Sequence, residues 1–166
     1  MKMLFISKIT LSSGAVGAEL EKSAKLLEML VDGRKAQIIK SGPKTRIPAF
    51  NVKPKMELGA RITVRKGNAR VILKKLLGAI ENTLKRRQVG NNTFSFGIKE
   101  YIEIPGVEYA REIGIRGLNV SVSFERKGFR VKKKKIKMGN LPLRQMATKE
   151  EIIKFMEENF NTKFVK

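Results

Sequence analysis

The sequence predicts an α+β fold: a mostly antiparallel sheet with helices packed on one face and the other face left open. Several segments alternate polar and apolar residues, which is the period of a strand buried on one side, and three longer segments repeat apolar residues at helical spacing. Most of the strands are joined by connections that suit antiparallel neighbours. Hydrophobic residues make up 42% of the 166-residue chain, which is enough for the core of one domain.

The first half of the chain predicts three strands and one helix. Ile9 and Leu11 alternate with polar residues in the first strand, and Ile62 and Val64 do so in the third. In order, the elements are a strand over 7–13, a helix over 18–31 that Asp32-Gly33 ends, a strand over 36–40, a loop over 41–57 and a strand over 61–65. The loop has three prolines and no hydrophobic period, and loops of this length are more often functional than plain connections.

The second half predicts two helices and three strands. In order, they are a helix over 69–84, strands over 94–98, 101–104 and 118–124, and a C-terminal helix. Thr148 and Glu151 have the spacing of a capping box that begins this last helix. Residues 148–166 carry as many acidic as basic residues, unlike the rest of the chain. We therefore expect an α+β domain over 1–147 and a C-terminal helix over 148–166 that is packed on it or appended to it.

Positive charge dominates the composition. The chain has 36 Lys and Arg against 15 Asp and Glu, a formal net charge of +21. Runs of cations without acids lie at 40–55, 85–87 and 126–137. Because like charges held close together destabilise a folded protein, such runs need a polyanion to neutralise them, and nucleic acid is the favoured one. Anionic lipid is the main alternative, but it favours a basic amphipathic helix, whereas these runs look extended or contain Gly and Pro.

The lack of His and Cys excludes several kinds of chemistry. Zinc fingers, disulfide scaffolds, serine-histidine triads and Cys-His dyads all need one of these residues. Glu100, Glu103 and Glu108 are close in sequence, but without such partners they predict surface charge rather than acid-base catalysis. We expect no enzymatic activity, no cofactor and no metal. No segment resembles a signal peptide or the ~20 apolar residues of a membrane span, so we expect a cytoplasmic protein without a membrane partner.

The polar residues of the predicted strands share one face of the sheet. On two strands this face carries cations and hydroxyls but no acid, namely Lys8, Thr10, Ser12, Arg61, Thr63 and Arg65. Cations bind phosphates and hydroxyls reach sugar oxygens and base edges, so the open face predicts a binding surface for RNA, with an ordinary solvated face as the alternative. Phe94 and Phe96 alternate like stacking aromatics of an RNA-binding sheet, but core packing is favoured. Gly14 and Gly17 favour a plain turn over a phosphate cradle.

Four stretches of the sequence carry a family resemblance. They are K-I-T-L-S-S-G-A-V-G at 8–17, K-T-R-I-P-A-F-N-V at 44–52, F-S-F-G-I-K-E-Y-I at 94–102 and G-V-E-Y-A-R-E-I-G-I-R-G-L-N-V at 106–120. With them the chain resembles the L-five family of universal large-subunit ribosomal proteins, in its archaeal and eukaryotic-type branch. The resemblance implies a non-enzymatic protein of the central protuberance that attaches 5S rRNA to the large subunit and also contacts large-subunit rRNA.

The resemblance also implies particular contacts and partners. The family's 5S rRNA contacts lie on the polar sheet face, and Thr63 falls on a matching position. Taken with the polar residues of the predicted strands, this gives the residues expected to bind 5S rRNA: Lys8, Thr10, Ser12, Arg34, Arg61, Thr63 and Arg65. Residues of the long loop expected to contact peptidyl-site tRNA are Lys44, Thr45, Arg46, Phe50, Lys53 and Lys55. The family also forms an intersubunit bridge with the small-subunit head protein S-thirteen and neighbours another 5S-binding ribosomal protein. Ser12 and Arg34 stand where the family commonly has Asn and Gln, and both can still donate hydrogen bonds.

The third basic run is expected to bind rRNA phosphates. Its cations are Arg126, Lys127, Arg130, Lys132, Lys133, Lys134, Lys135 and Lys137. Self-repulsion predicts that the loop over 41–57 and the segment 132–137 are mobile in the isolated protein and become ordered on rRNA. The rival functions are a general nucleic-acid-compacting or chaperone-like basic protein, an enzyme acting on nucleic acid, and a membrane-surface protein.

Overall fold

The computed structural model describes residues 3–31, 33–65 and 67–165 and confirms the α+β class. Five strands form an antiparallel sheet in the order β2-β3-β1-β6-β5, and two short strands, β4 and β7, form a parallel pair. The strands are β1 (Leu4–Gly14), β2 (Gln37–Lys40), β3 (Glu57–Arg65), β4 (Thr83–Lys85), β5 (Thr93–Ile98), β6 (Leu118–Arg126) and β7 (Lys163–Val165). The α-helices of the described residues are α1 (Ala18–Leu30), α2 (Gly67–Gly78), α3 (Arg130–Lys133) and α4 (Lys149–Phe160).

The chain divides into two compact units. The terminal unit consists of residues 1–9, 64–96 and 121–166, and the central unit consists of residues 10–63 and 97–120. Both units contain buried apolar residues from strands and from helices, so each has its own part of the core.

The long strands separate a buried face from a polar face, as their alternation predicts. The buried positions are Ile9, Leu11 and Ser13 on β1, Ala60, Ile62 and Val64 on β3, Phe94, Phe96 and Ile98 on β5, and Leu118, Val120, Val122 and Phe124 on β6. The residues between them are exposed or half-buried. Because successive side chains of a strand point to opposite faces, one face of these strands packs against the core and the other is left polar.

In the terminal unit, aromatic side chains form the centre of the core. Phe94 stacks on Phe96 and on Phe124, with ring centroids 5.9 and 5.8 Å apart, and Phe155 of α4 meets Phe124 edge-on at 5.6 Å. Phe94 is 2% exposed and Phe96 is 4% exposed. These two rings are therefore core residues, which confirms the interpretation favoured from the sequence.

In the central unit, the 97–120 segment is held by polar contacts and by close backbone packing. The hydroxyl of Tyr101, a fully buried residue, accepts a hydrogen bond from the backbone N–H of Ala110 at 3.0 Å. The Arg116 guanidinium donates to the Ser23 hydroxyl of α1 at 3.1 Å. Gly117 packs so closely that a Cβ at this position would lie 2.7 Å from the carbonyl oxygen of Lys99. Only glycine fits here without a shift of the backbone.

Two elements differ from the sequence predictions. Residues 101–104 do not form a strand: Tyr101–Glu103 is a 3-10 turn, because Tyr101 turns inward to its buried hydrogen bond with Ala110. The helix predicted over 69–84 ends at Gly78, since Glu81 and Asn82 have positive φ angles and the chain then enters β4 beside β7. Both errors come from buried apolar residues that fit the predicted period but belong to other elements, Tyr101 to the 3-10 turn and Leu84 to β4.

Smaller differences concern the ends of elements. The first helix ends at Leu30, and the N–H of Gly33 donates to the Glu28 carbonyl with Gly33 at φ 75°, while Asp32 lies outside the described residues. The third basic run, which looks extended in sequence, contains the single helical turn α3. In the described part of the chain, no helix has the length and apolar character needed to cross a membrane.

Candidate nucleic-acid interface

The polar face of the central unit brings four of the predicted residues onto two adjacent strands. Thr10 and Ser12 lie on β1, and Arg61 and Thr63 lie on β3, its neighbour in the sheet. The threonines and the serine are half-buried, whereas Arg61 is exposed. Hydroxyls held on a strand and beside a guanidinium present donors and acceptors at fixed spacing, which suits contacts with sugars, phosphates and base edges.

Arg61 is held in place by a residue that the sequence analysis did not include. Gln37 of the edge strand β2 pairs with Arg61 across the ladder, and its Oε1 accepts a hydrogen bond from Arg61 Nε at 3.0 Å. This bond leaves the two terminal nitrogens of the guanidinium for a ligand and restricts the rotation of the side chain. The antiparallel register of β2 and β3 cannot be read from a four-residue strand, so no local pattern predicts this pair.

Asn119 extends the polar face of the central unit. It is exposed on β6, opposite Gly97 at the end of β5, and a Cβ on Gly97 would lie 3.2 Å from Asn119 Oδ1. The amide of Asn119 therefore lies directly over the glycine, where it adds a donor and an acceptor to the surface. The alternation of residues 118–124 places Asn119 on the polar side, but the sequence does not distinguish it from other solvated residues.

The terminal unit has a polar strand face of its own. Lys8 of β1 is half-buried and Arg65 of β3 is exposed. They share this face with hydroxyl residues of β5 and β6, namely Thr93, Ser95, Ser121 and Ser123. Glu125 of β6 follows Ser121 and Ser123 in the same alternation and is paired with Lys133. Arg34, in contrast, lies exposed in the connection between α1 and β2 rather than on one of these strands.

The long loop is closed at its base and exposed at its tip. The Ser41 hydroxyl donates to the Lys53 carbonyl at 2.6 Å and accepts from the Met56 N–H at 3.0 Å, and Ile47 and Val52 form an isolated antiparallel bridge. All six residues predicted to contact tRNA are exposed, namely Lys44, Thr45, Arg46, Phe50, Lys53 and Lys55. Phe50 is 78% exposed, although a phenylalanine normally favours burial. The loop thus presents an aromatic ring among cations on a closed hairpin.

The third basic run falls into two groups of cations. Arg126 and Lys133 have acidic partners: Arg126 pairs with Glu151, and Lys133 pairs with Glu125. The Lys133 ammonium also lies 5.4 Å from the centre of the Phe129 ring. The other six cations are exposed, namely Lys127, Arg130, Lys132, Lys134, Lys135 and Lys137. This second group is the better placed to bind phosphates, because its members are not neutralised by these two acids.

Arg126 is more a structural residue than a surface cation. Its side chain is 11% exposed, its Nη2 lies 2.5 Å from Glu151 Oε2, and its Nη1 donates to the Arg144 carbonyl. Glu151 also accepts from the N–H of Thr148, and this hydrogen bond, with that from Arg126, holds the pKa of the Glu151 carboxyl below its usual value. The predicted capping box of Thr148 and Glu151 is thereby confirmed.

The acidic residues considered for catalysis lie on the surface. Glu100, Glu103 and Glu108 are all exposed. Within residues 3–31, 33–65 and 67–165, no group of three or more acidic residues could hold a metal ion. The chemistry that the described surfaces support is hydrogen bonding and electrostatic attraction.

An α+β fold with basic surfaces of this kind is typical of a nucleic-acid-binding protein. Comparison with known proteins gives the family. Residues 57–161, more than half of the chain, match the model of the C-terminus of the ribosomal L5 family. The chain belongs to this family, which is the L-five family of the sequence resemblance. Membership assigns it to the ribosome, and therefore to the cytoplasm, as expected from the sequence.

Sequence similarity to known proteins covers nearly the whole chain. The large ribosomal subunit protein uL5 of Methanosphaera stadtmanae is 37% identical over 164 residues, covering 97% of this chain and 96% of its own length. The protein of the same name from Methanobrevibacter smithii is 36% identical over 99% of this chain and 97% of its own length. The protein of the same name from Sulfolobus acidocaldarius is 37% identical over 97% of this chain and 90% of its own length. These archaeal relatives agree with the branch expected from the sequence.

Proposed function

We propose that this protein is a structural constituent of the large ribosomal subunit that attaches 5S rRNA to large-subunit rRNA in the central protuberance. The coarser part of this statement, a ribosomal structural constituent, follows from the family and from the names of its relatives. The observation that supports the choice of an RNA partner is the set of hydroxyls and cations on the polar sheet face, where Arg61 is oriented by Gln37 beside Thr63.

We assign different roles to the polar face and to the third basic run. The polar face selects the shape of 5S rRNA through hydroxyl, amide and guanidinium contacts at fixed strand positions, with Arg34 as an additional exposed cation. The six exposed cations of the third basic run bind phosphates of large-subunit rRNA and release counterions, a contribution that depends strongly on salt and little on sequence. Neither surface needs a cofactor or a covalent step.

The long loop is assigned to binding a partner other than 5S rRNA and large-subunit rRNA. Its exposed Phe50 and the cations Lys44, Arg46, Lys53 and Lys55 contact peptidyl-site tRNA, with Thr45 as a hydrogen-bonding residue. The hydrogen bonds of Ser41 hold the two ends of the loop together. The proposed protein partners are the small-subunit head protein S-thirteen, through an intersubunit bridge, and a neighbouring 5S-binding ribosomal protein.

Competition binding tests this function. Labelled 5S rRNA is bound to the full chain at moderate salt and displaced with unlabelled 5S rRNA, tRNA or a random RNA duplex of matched length. We expect 5S rRNA to compete at least tenfold better than the other two. Equal competition by all three would identify a general nucleic-acid-compacting protein instead, because electrostatic binding alone does not distinguish one RNA from another.

A further inference from the structure

An open pocket lies in the terminal unit beside the third basic run. Its volume is about 470 Å³, within the range of ~300–1,000 Å³ that is usual for small-ligand sites. The lining residues come from the end of β6, from the turn that follows it, from α3 and from residues 141–145, namely Arg126, Lys127, Gly128, Phe129, Val131, Leu141, Arg144 and Gln145. Of these residues the proposed function uses only Lys127, as a phosphate-binding cation, and it assigns no ligand to the cavity itself.

The pocket combines apolar walls with cations. Phe129, Val131 and Leu141 supply carbon surface, whereas Lys127 and Arg144 are exposed cations at the same site. None of the lining residues is acidic. A nucleotide has the matching chemistry, because its base has two apolar faces and its phosphate is an anion.

The walls are supported by a fixed framework. Gly128, at φ 100°, turns the chain from β6 into α3, and the N–H of Gly139 donates to the carbonyl of Val131 at 3.2 Å. The Arg126 guanidinium is bound to Glu151 and to the Arg144 carbonyl, which fixes one side of the pocket. A site whose walls are already held loses less entropy when it binds a ligand.

We infer that this pocket accepts one unpaired nucleotide of rRNA, with its base against the Phe129 ring and its phosphate near Lys127 and Arg144. The inference rests on the proposed function and deepens it, since it adds recognition of a single flipped-out base to the phosphate binding of the basic run. Bases that leave a helix stack on aromatic side chains in this way, and RNA loops and bulges supply such bases.

Chemical probing of rRNA tests the inference. The full chain is bound in separate samples to 5S rRNA and to large-subunit rRNA, and the reactivity of every unpaired base is compared with that in free RNA. Two variants change the pocket: Phe129→Leu removes the aromatic ring and keeps an apolar side chain, and Leu141→Trp fills the space. Two matched controls, Tyr109→Leu and Val71→Trp, make the same kinds of change at exposed positions elsewhere.

We expect one or a few unpaired bases to be protected by the wild-type chain and the two controls, and to regain reactivity with both pocket variants. Other protected bases should stay protected. Phe129→Leu should also weaken binding of the RNA that holds the base by about tenfold, the effect of one stacked base. Identical protection by all five proteins, with the complexes still formed, would overturn the pocket inference and leave the proposed function standing. A wild-type chain that bound neither rRNA would overturn the proposed function, and this inference with it.

Discussion

Arg126, at the end of β6, lies 2.5 Å from Glu151 in the first turn of α4, and this pair joins the third basic run to the C-terminal helix within the terminal unit. Glu151 is at the same time the acceptor of the helix-capping hydrogen bond from Thr148. One carboxylate therefore serves the helix cap and a largely buried cation. The cation in turn cannot be removed without leaving its partners unsatisfied.

The shared carboxylate predicts a pH dependence of stability. The hydrogen bonds from Thr148 and Arg126 lower the pKa of Glu151 below its ordinary value of 4.5. A lowered pKa in the folded state means that the stabilisation is present above pH 4.5 and is lost as the pH falls through the folded-state pKa. We expect the free energy of unfolding from urea titrations to decrease over that acidic range.

Glu151→Gln isolates this contribution. The amide can keep the helix cap but cannot pair with Arg126 as an anion, so we expect a loss of about 1 kcal/mol at pH 7, a small value because Glu151 is 46% exposed and screened by solvent. The acidic decrease in stability should be smaller in the variant than in the wild type. Glu150→Gln, in the same helical turn, is the matched control and should retain the wild-type pH profile. Parallel pH profiles of wild type and Glu151→Gln would contradict the assignment.

The division of the third basic run into paired and exposed cations predicts unequal effects on RNA binding. Replacing Lys132, Lys134 and Lys135 together with Gln should weaken binding of every RNA. The negative slope of log K against log salt should become shallower by about 0.7–0.9 for each lysine that binds a phosphate. Lys133→Gln should have a smaller effect per residue, because Glu125 already neutralises Lys133. Lys22→Gln, at an exposed position of α1, is the control for a change in net charge alone. If Lys133→Gln weakened binding as much as the average lysine of the triple variant, the Lys133–Glu125 ion pair would not persist in the complex.

The polar face predicts a selective loss of 5S rRNA binding. Thr63→Tyr places a ring on the face next to Arg61, so we expect 5S rRNA to bind at least tenfold more weakly, equivalent to about 1.4 kcal/mol, while binding of random duplex stays unchanged. Arg65→Glu should weaken binding of 5S rRNA more than binding of duplex, because it removes a face contact as well as a positive charge. Thr83→Tyr makes the same substitution at an exposed position of β4 and should leave both affinities unchanged. Parallel losses for 5S rRNA and duplex would argue against a shape-selective face.

Close packing of the 97–120 segment predicts that one glycine is essential for stability. Gly117→Ala would place a Cβ 2.7 Å from the Lys99 carbonyl oxygen and 2.9 Å from that of Ile98, so we expect destabilisation of roughly 1–3 kcal/mol. Gly67→Ala is the matched control, since its added Cβ would meet no described atom within 4 Å apart from the adjacent residues and the backbone of its own helix. It should raise stability by about 0.5–1 kcal/mol. Thermal unfolding of the two variants measures both effects. A shift of the same sign in both would be inconsistent with this packing.

Hydrogen exchange tests the expected ordering of the basic segments. We predict that the amides of Lys44, Lys135 and Lys137 exchange rapidly in the free protein and become protected on rRNA. The amides of Ser41 and Met56, which are hydrogen-bonded at the base of the loop, should be protected in both states. Strong protection of the three lysine amides without RNA would refute the prediction.

The parts of the fold that depend on local periodicity are predictable from the sequence. Alternation locates the long strands, as at Ile62 and Val64, and the Thr148 capping box locates the start of α4. Periodicity cannot locate β4, because three residues carry too little pattern, and the pairing partner Lys163–Val165 is about 80 residues away in the chain. The strand prediction at Tyr101 is wrong because a buried aromatic has the same signature in a turn.

The candidate site is predictable only where a single residue type is informative. Clustered cations indicate a polyanion without reference to the fold, so the exposed positions from Lys132 to Lys137 follow from charge alone. Residues that act through their neighbours cannot be predicted in this way. The contact of Gln37 with Arg61 depends on the register of β2 with β3, and the burial of Arg126 depends on the approach of α4. Such contacts are made by tertiary structure and have no local pattern.

The most direct test of the account is the ratio of the dissociation constants for random duplex and for 5S rRNA, measured from about 50 to 300 mM salt. Raising the salt weakens counterion release for both RNAs, whereas contacts that read RNA shape persist. We expect the ratio to stay at or above about ten over the whole range, even as both affinities fall. A ratio that declines to one would show that the chain binds through charge alone and would contradict a specific attachment of 5S rRNA.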